Sequence, residues 1–237
     1  MAVQKRAVII GITGQDGSYL AEKGYEVVGI SRRTTNHQNE NINHLGGRIA
    51  VEYGDLLDGP SIERVIADYQ PDEVYNLAAQ SVPADSWKQP VVTAKITAVG
   101  TMRVLEAVRR HCPTARFYQA TSREIYGGVQ SEVIDEFAPY HANNPYGIAK
   151  LYAHLMTETY RDSYGLFTCG GILFNHESPR RSLHKVTMAV AYIKTGSPSP
   201  LLMRRADRWC WMPSCAWATS MLCATGGMRQ SSSRPCG

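Results

Sequence analysis

The sequence predicts a doubly wound α/β fold: a Rossmann-like parallel sheet with helices on both faces. Three observations carry this expectation. The apolar run Ala7-Val8-Ile9-Ile10 opens directly into Gly11-Ile12-Thr13-Gly14-Gln15-Asp16-Gly17. Short apolar runs then alternate with longer amphipathic stretches, the pattern of βαβ units. Far downstream, Tyr146 and Lys150 follow an apolar run that leads into Ser122 and Glu124. In a doubly wound sheet the C-terminal ends of the strands face the ligand crevice.

The elements follow in order. Residues 7–11 read as a buried strand, 18–23 as a helix, 26–31 as a second strand and 49–53 as a third. Residues 61–69 read as a helix, Pro71 breaks it, and 73–77 form the next strand. A helix over 101–111 ends before Pro113, and a strand covers 116–120. Asn144 followed by Pro145 marks a helix start, with proline at the first helical position. That helix runs through Lys150 to about Ser163, and 167–173 is a further strand. One stretch is short. Between Gly17 and Tyr25 a helix spans about 10 Å at 1.5 Å per residue. The flanking strands need about 16–20 Å, so this crossover is about one turn too short. The alternating pattern covers residues 1–170, and the stretch over 198–237 does not continue it.

Composition fits a soluble globular protein: 237 residues, 43% hydrophobic, 19% charged, net charge +4. No basic block points to nucleic acid. No run of about 18 apolar residues predicts a membrane span. The apolar run after Lys5 and Arg6 is too short for a signal peptide and is interrupted by Gly-Ile-Thr-Gly, so the cytoplasm is the expected location. Cys112 and Cys169 are isolated and read as buried and inert. Cys210, Cys215, Cys223 and Cys236 crowd the tail without a Cys-x-x-Cys pair, a weak signal for disulfides or zinc. No metal site is expected. The tail also holds Trp209, Trp211 and Trp217, only one acidic residue, Asp207, and no lysine after Ser199. It shows neither helical nor strand periodicity. Disordered tails are seldom rich in Trp and Cys.

The glycine turn after the first strand lets backbone approach a pyrophosphate, whose charge meets free N–H groups and the helix dipole. The second strand ends in Arg32 and Arg33, where an enzyme using NAD carries an acid for the ribose. Arginine there favours the 2′-phosphate of NADP, or the two are solvated cations. Asp55 either hydrogen-bonds the adenine edge or is a plain turn aspartate. Tyr146 and Lys150 are four apart and share one helix face. An ammonium beside a phenol favours phenolate and makes it a usable base. Tyr19 and Lys23 have the same spacing in the phosphate-side helix, where such chemistry does not belong. Ser122 can hydrogen-bond a reacting hydroxyl, and Glu124 can act as a second base.

On these motifs the chain resembles the extended short-chain dehydrogenase/reductases and, among them, the GDP-mannose 4,6-dehydratases. The segments that carry the resemblance are 11–19, 72–81 (ending Tyr-Asn-Leu-Ala-Ala-Gln-Ser), 116–127, 144–152 and 171–181. The last, Gly-Ile-Leu-Phe-Asn-His-Glu-Ser-Pro-Arg-Arg, is the most distinctive, and the resemblance covers roughly residues 5–197. It implies NADP contacts from Gly11, Ile12, Thr13, Gly14, Gln15, Asp16, Arg32, Arg33, Asp55, Leu56, Leu77, Ala78, Ala79, Gln80, Ser81, Lys150, His176 and Arg181. It implies catalytic roles for Ser122, Glu124, Tyr146 and Lys150, and substrate-diphosphate contacts from Asn175 and Lys185. The implied reaction converts GDP-mannose to GDP-4-keto-6-deoxymannose by internal hydride transfer through NADP, a lyase reaction in a homodimer or homotetramer. The alternatives are another nucleotide-sugar epimerase or reductase of the same family, or an inactive NADP-binding relic.

Three departures from the family pattern stand out. Arg123 replaces a small residue and brings a bulky cation beside the sugar site. The first crossover is short, and a second gap after Arg181 unsettles the alignment at Lys185. The tail lacks the family's Arg-Asp-Trp-Gly segment. Permitted codons for residues 211–237, read in a shifted frame, can encode such a segment. The resemblance therefore implies a dinucleotide-binding domain with the catalytic residues over 1–170, the start of an incomplete C-terminal substrate domain over 171–197 and an aberrant tail over 198–237, in a C-terminally truncated or frameshifted chain with the frame change between about Thr195 and Trp209.

Overall fold

The computed structural model describes residues 4–33, 41–129, 134–135, 137–174, 176 and 178. Six parallel strands form one sheet: β1 (Arg6–Ile10), β2 (Glu26–Ser31), β3 (Ile49–Tyr53), β4 (Glu73–Asn76), β5 (Arg116–Ser122) and β6 (Thr168–Leu173). Their order across the sheet is β3-β2-β1-β4-β5-β6. The chain reverses its winding between β1 and β4, which opens a crevice at the C-terminal ends of those two strands. In register, Ile10 pairs with Ile30 on one side and Asn76 on the other, so the three strand ends form one rim.

Strand alternation divides the core into two layers. Val8, Ile10, Val28, Ile30, Val74 and Phe117 face one way. They pack under α2 (Gly59–Tyr69), α5 (Gly100–His111) and α6 (Pro145–Tyr164). Ala7, Ile9, Val27, Tyr75 and Tyr118 face the other way, against α1 (Gln15–Leu20) and the 3-10 turn Asn43–Leu45. α2 supplies Ile62, Val65 and Ile66 at helical spacing, each fully buried. Burial of each such side chain is worth about 1.5–3 kcal/mol.

The expected strands and long helices form within a few residues of their predicted bounds. The first helix differs. It spans Gln15–Leu20 rather than 18–23, because Gly14, extended at ψ 170°, already serves as its N-cap. The phosphate-side turn is thus the first turn of the helix, and six residues make the crossover as short as its sequence requires. Sequence periodicity predicts nothing between Leu77 and Thr101, yet that stretch is helical. It holds α3 (Pro83–Lys88), α4 (Pro90–Thr93) and a π-helical turn, Ala94–Val99, that leads into α5. Proline at the start of α3 and α4 breaks the stretch into pieces too short to show a period.

Among the described residues, no helix is long and apolar enough to cross a membrane. No group of three or more His, Cys, Asp or Glu side chains gathers there as metal ligands.

Candidate active site

The glycine turn sits at the centre of the sheet's C-terminal rim. Gly11 adopts φ +89° and donates its N–H to the Ile30 carbonyl at 3.1 Å. A Cβ there would lie 3.0 Å from the Ala78 nitrogen and 3.2 Å from its Cα. The turn after β1 and the segment after β4 therefore touch through bare backbone. Gly14 N–H donates to the Gly11 carbonyl at 3.0 Å, and Asn41 Nδ2 donates to the Thr13 carbonyl at 3.0 Å. Asp16 Oδ1 lies 2.9 Å from His176 Nε2, which links the start of α1 to the segment after β6. Three buried side-chain oxygens around this rim have no hydrogen-bond partner among the described residues: Gln15 Oε1, Asn76 Oδ1 and Gln80 Oε1. Buried acceptors without donors are costly. A polar ligand along the rim would relieve that cost.

Arg32 and Arg33 are exposed just past β2, and the Arg33 guanidinium lies 4.9 Å from the Tyr53 ring centroid. Stacking on the ring orients Arg33 without consuming its N–H donors. Leu56 is buried, and Arg103 of α5 donates to its carbonyl at 2.5 Å. Asp55 Oδ1 accepts from Leu57 N–H at 2.9 Å, so one of its oxygens serves the turn itself. After β4, Leu77 N–H donates to the Ile10 carbonyl at 3.0 Å, and Gln80 N–H donates to Thr97 Oγ1 at 3.2 Å. Ala78 and Ala79 are half-buried between them, while Ser81 is exposed.

Ser122, Glu124, Tyr146 and Lys150 come together where β5 meets α6. Ser122 is the last residue of β5, and its Oγ accepts from Glu124 N–H at 3.3 Å, capping the 3-10 turn Arg123–Tyr126. Glu124 Oε2 accepts from Asn144 Nδ2 at 2.8 Å, and its Oε1 lies 3.3 Å from Arg123 Nε. Asn144 is the N-cap of α6, with Pro145 after it. Tyr146 and Lys150 follow on one face, 8% and 3% exposed. Lys150 Nζ donates to the Ala120 carbonyl at 2.6 Å and lies 5.9 Å from the Tyr146 ring centroid. Burial pulls the Lys150 ammonium down from its usual 10.5 to about 8. An ammonium held close to neutrality beside a phenol suits proton exchange near physiological pH.

The competing pair is separated. Tyr19 lies on α1, but Lys23 falls beyond its end and is exposed. Asn175, Arg181 and Lys185 lie outside the described residues. Two groups escaped the sequence reading. Asn144 was legible as a helix start but not as the donor to Glu124. His154, buried on α6, lies 3.2 Å from Thr121 Oγ1 and 3.1 Å from the Tyr140 hydroxyl, and burial lowers its proton affinity. Only its spacing of eight from Tyr146, on the same side of the helix, hints at this placement.

Residues 8–221 match a family model described as GDP-mannose 4,6 dehydratase. The GDP-mannose 4,6-dehydratase of Vibrio cholerae serotype O1 is 46% identical over 221 residues, covering 86% of this chain and 59% of that protein. That of Yersinia enterocolitica is 45% identical over 222 residues, with 86% and 59% coverage. GDP-mannose 4,6 dehydratase 2 of Arabidopsis thaliana is 45% identical over 220 residues, with 84% and 59% coverage. The chain thus spans about three-fifths of the length of these curated relatives. Among solved structures, the Thermus thermophilus UDP-glucose 4-epimerase in complex with NAD superimposes at a TM-score of 0.69. It is 26% identical, and the match covers 78% of this chain and 60% of the epimerase. The Streptomyces venezuelae dTDP-glucose 4,6-dehydratase shares the fold at a TM-score of 0.69 and 22% identity, over 81% of this chain and 63% of that one. With a glycine turn at the switch point, a Tyr146/Lys150 pair at the β5–α6 junction and this extent of identity, the chain belongs to the GDP-mannose 4,6-dehydratase family.

Proposed function

We propose that this chain carries the dinucleotide-binding and acid–base half of a GDP-mannose 4,6-dehydratase, a hydro-lyase that uses NADP. The observation that carries the reading is the junction of β5 and α6. A buried lysine, a buried tyrosine, a hydroxyl and a carboxylate lie at the C-terminal end of β5 and the start of α6, which supports the reading. The turn suits a pyrophosphate, because Gly11 leaves no Cβ between the turn and Ala78, and the orphaned acceptors on the rim suit the hydroxyl and amide donors of a dinucleotide. Gly11–Asp16, Leu56 and Leu77–Ser81 would hold the dinucleotide, and Arg32 and Arg33 would meet a 2′-phosphate. Bound there, the nicotinamide would supply hydride chemistry between C4 and C6, leaving the reaction redox-neutral overall.

The residues divide the proton work. Ser122 holds the sugar 4-hydroxyl, and Tyr146 takes its proton as C4 becomes a ketone. Lys150 favours the phenolate that begins the step. The new ketone acidifies the C5 proton, which Glu124 accepts. Glu124 then gives that proton to the C6 hydroxyl, which leaves as water. After reduction at C6 the proton count closes: C5 gains one proton and Tyr146 releases the one it took, giving GDP-4-keto-6-deoxymannose and water. Glu124 separates this reading from an epimerase, which inverts C4 without a base at C5.

A second copy of the chain is the proposed partner. Ile148, Tyr152 and Leu155 lie exposed along one side of α6, an apolar stripe of the kind that dimers bury. Light scattering of a Leu155→Glu variant tests it: a wild-type dimer that becomes a monomer supports the interface.

The direct experiment is incubation of the purified chain with GDP-mannose and NADP, followed by mass spectrometry. A 4-keto-6-deoxy product that disappears in Tyr146→Phe supports the dehydratase. NADP binding without product supports a cofactor-binding relic.

A further inference from the structure

Asn144 uses one carboxamide for two tasks. Its Oδ1 accepts from Gly147 N–H at 2.8 Å, the N-cap bond that starts α6. Its Nδ2 donates to Glu124 Oε2 at 2.8 Å and to Asn143 Oδ1 at 3.2 Å. The main chain repeats the coupling. A Cβ on Gly147 would lie 2.5 Å from the Glu124 carbonyl oxygen, so the first turn of α6 reaches Glu124 only with glycine there. The two loops are also tied directly: His141 N–H donates to the Ile125 carbonyl at 2.8 Å, and Gly128 N–H donates to the His141 carbonyl at 2.8 Å.

An amide is the side chain that can accept on one atom and donate on the other. Ser and Asp cap helices as well as Asn does. Asp, however, has no donor for a carboxylate, and the Ser hydroxyl is too short to reach across. We infer that Asn144 is a positioning residue. It aims the Glu124 carboxylate while starting the helix that carries Tyr146 and Lys150, so the second base is held in register with the first. The inference rests on the dehydratase reading for Glu124's role at C5.

Asn144→Ser and Asn144→Asp test it, because both keep the helix cap and so leave Tm close to that of the wild type. Loss of one hydrogen bond to a charged group corresponds to a fall of about 10–100-fold in activity. The expected result is that fall in kcat with KM within about twofold. The half-steps should also separate. In Asn144→Ser, adding GDP-mannose still generates the absorbance of reduced nicotinamide, while deuterium uptake at C5 from heavy water falls in step with product. Unchanged kcat, or equal loss of both half-steps, overturns the inference.

A second measurement needs no turnover. The side-chain amide NMR signals of Asn144 in the full chain should move when Glu124 is replaced by alanine, and unmoved signals overturn the inference. If the wild-type chain forms no product, the dehydratase reading fails for this chain, and the NMR shift alone decides whether Asn144 holds Glu124.

Discussion

Replacing Lys150 with methionine should stabilise the fold while abolishing the chemistry. Lys150 is fully buried, and its folded-state pKa lies at about 8 against an ordinary 10.5. That difference corresponds to about 3 kcal/mol disfavouring the charged form inside the protein. The sign follows from proton binding. Between pH 8 and 10.5 the unfolded chain holds a proton on this lysine that the folded chain has released, so stability rises with pH across that window. Below pH 8 both states are protonated, and the full penalty remains. Methionine removes the penalty and forfeits the bond from Nζ to the Ala120 carbonyl, worth about 1 kcal/mol when the amine is neutral. That carbonyl keeps the Gln119 Nε2 donor at 3.1 Å. Lys150→Met should therefore gain about 2 kcal/mol at pH 7, or about 4–8 °C in Tm for a domain of this size. The advantage should shrink toward zero as pH approaches 10. Urea unfolding of both proteins at pH 7, 8.5 and 10 measures it. A variant less stable at pH 7, or a difference that does not change with pH, refutes the reasoning.

Other perturbations test separate links. Gly11→Ala forces an alanine to φ +89° against the Ala78 backbone. It should destabilise by about 1–3 kcal/mol and weaken dinucleotide binding at least tenfold in calorimetry; unaltered affinity would detach the glycine turn from the cofactor. Ile62→Ala empties a fully buried position on α2 and should cost about 2–5 kcal/mol in urea unfolding. Arg33→Ser removes the guanidinium stacked on Tyr53 and should lower the preference for NADP over NAD by about tenfold, the worth of one charge-assisted contact; an unchanged ratio would leave Arg33 a solvated cation. Arg123→Ser removes the cation beside Glu124 Oε1. If Arg123 restrains the base or crowds the sugar, product formation should rise, read by the same mass-spectrometric assay.

The sheet was readable from the chain because each of its causes is local. Val8 and Ile10 against Ala7 and Ile9 show the two-sided burial of a central strand. Proline at 145 and asparagine at 144 mark a helix start without reference to anything distant. The helical stretch from Pro83 to Val99 was hidden for the opposite reason. Its short pieces, broken at Pro83 and Pro90, are stabilised by packing on α6 rather than by their own period. Tyr146 and Lys150 could be paired by spacing alone, yet Tyr19 and Lys23 had the same spacing. What separated them was where α1 ends, which a count of residues does not give.

By itself the sequence determined the α/β class, the glycine turn after β1, and the residue types that do acid–base work. Those properties depend on neighbours within a turn of helix or a few residues of strand. Only the tertiary structure decided that Lys150 is wholly buried with its ammonium near pH 8. Only it set Asn144, twenty residues along the chain, against Glu124. Desolvation and cross-loop hydrogen bonds depend on what surrounds a group in space, and in a parallel sheet those surroundings come from distant strands and helices.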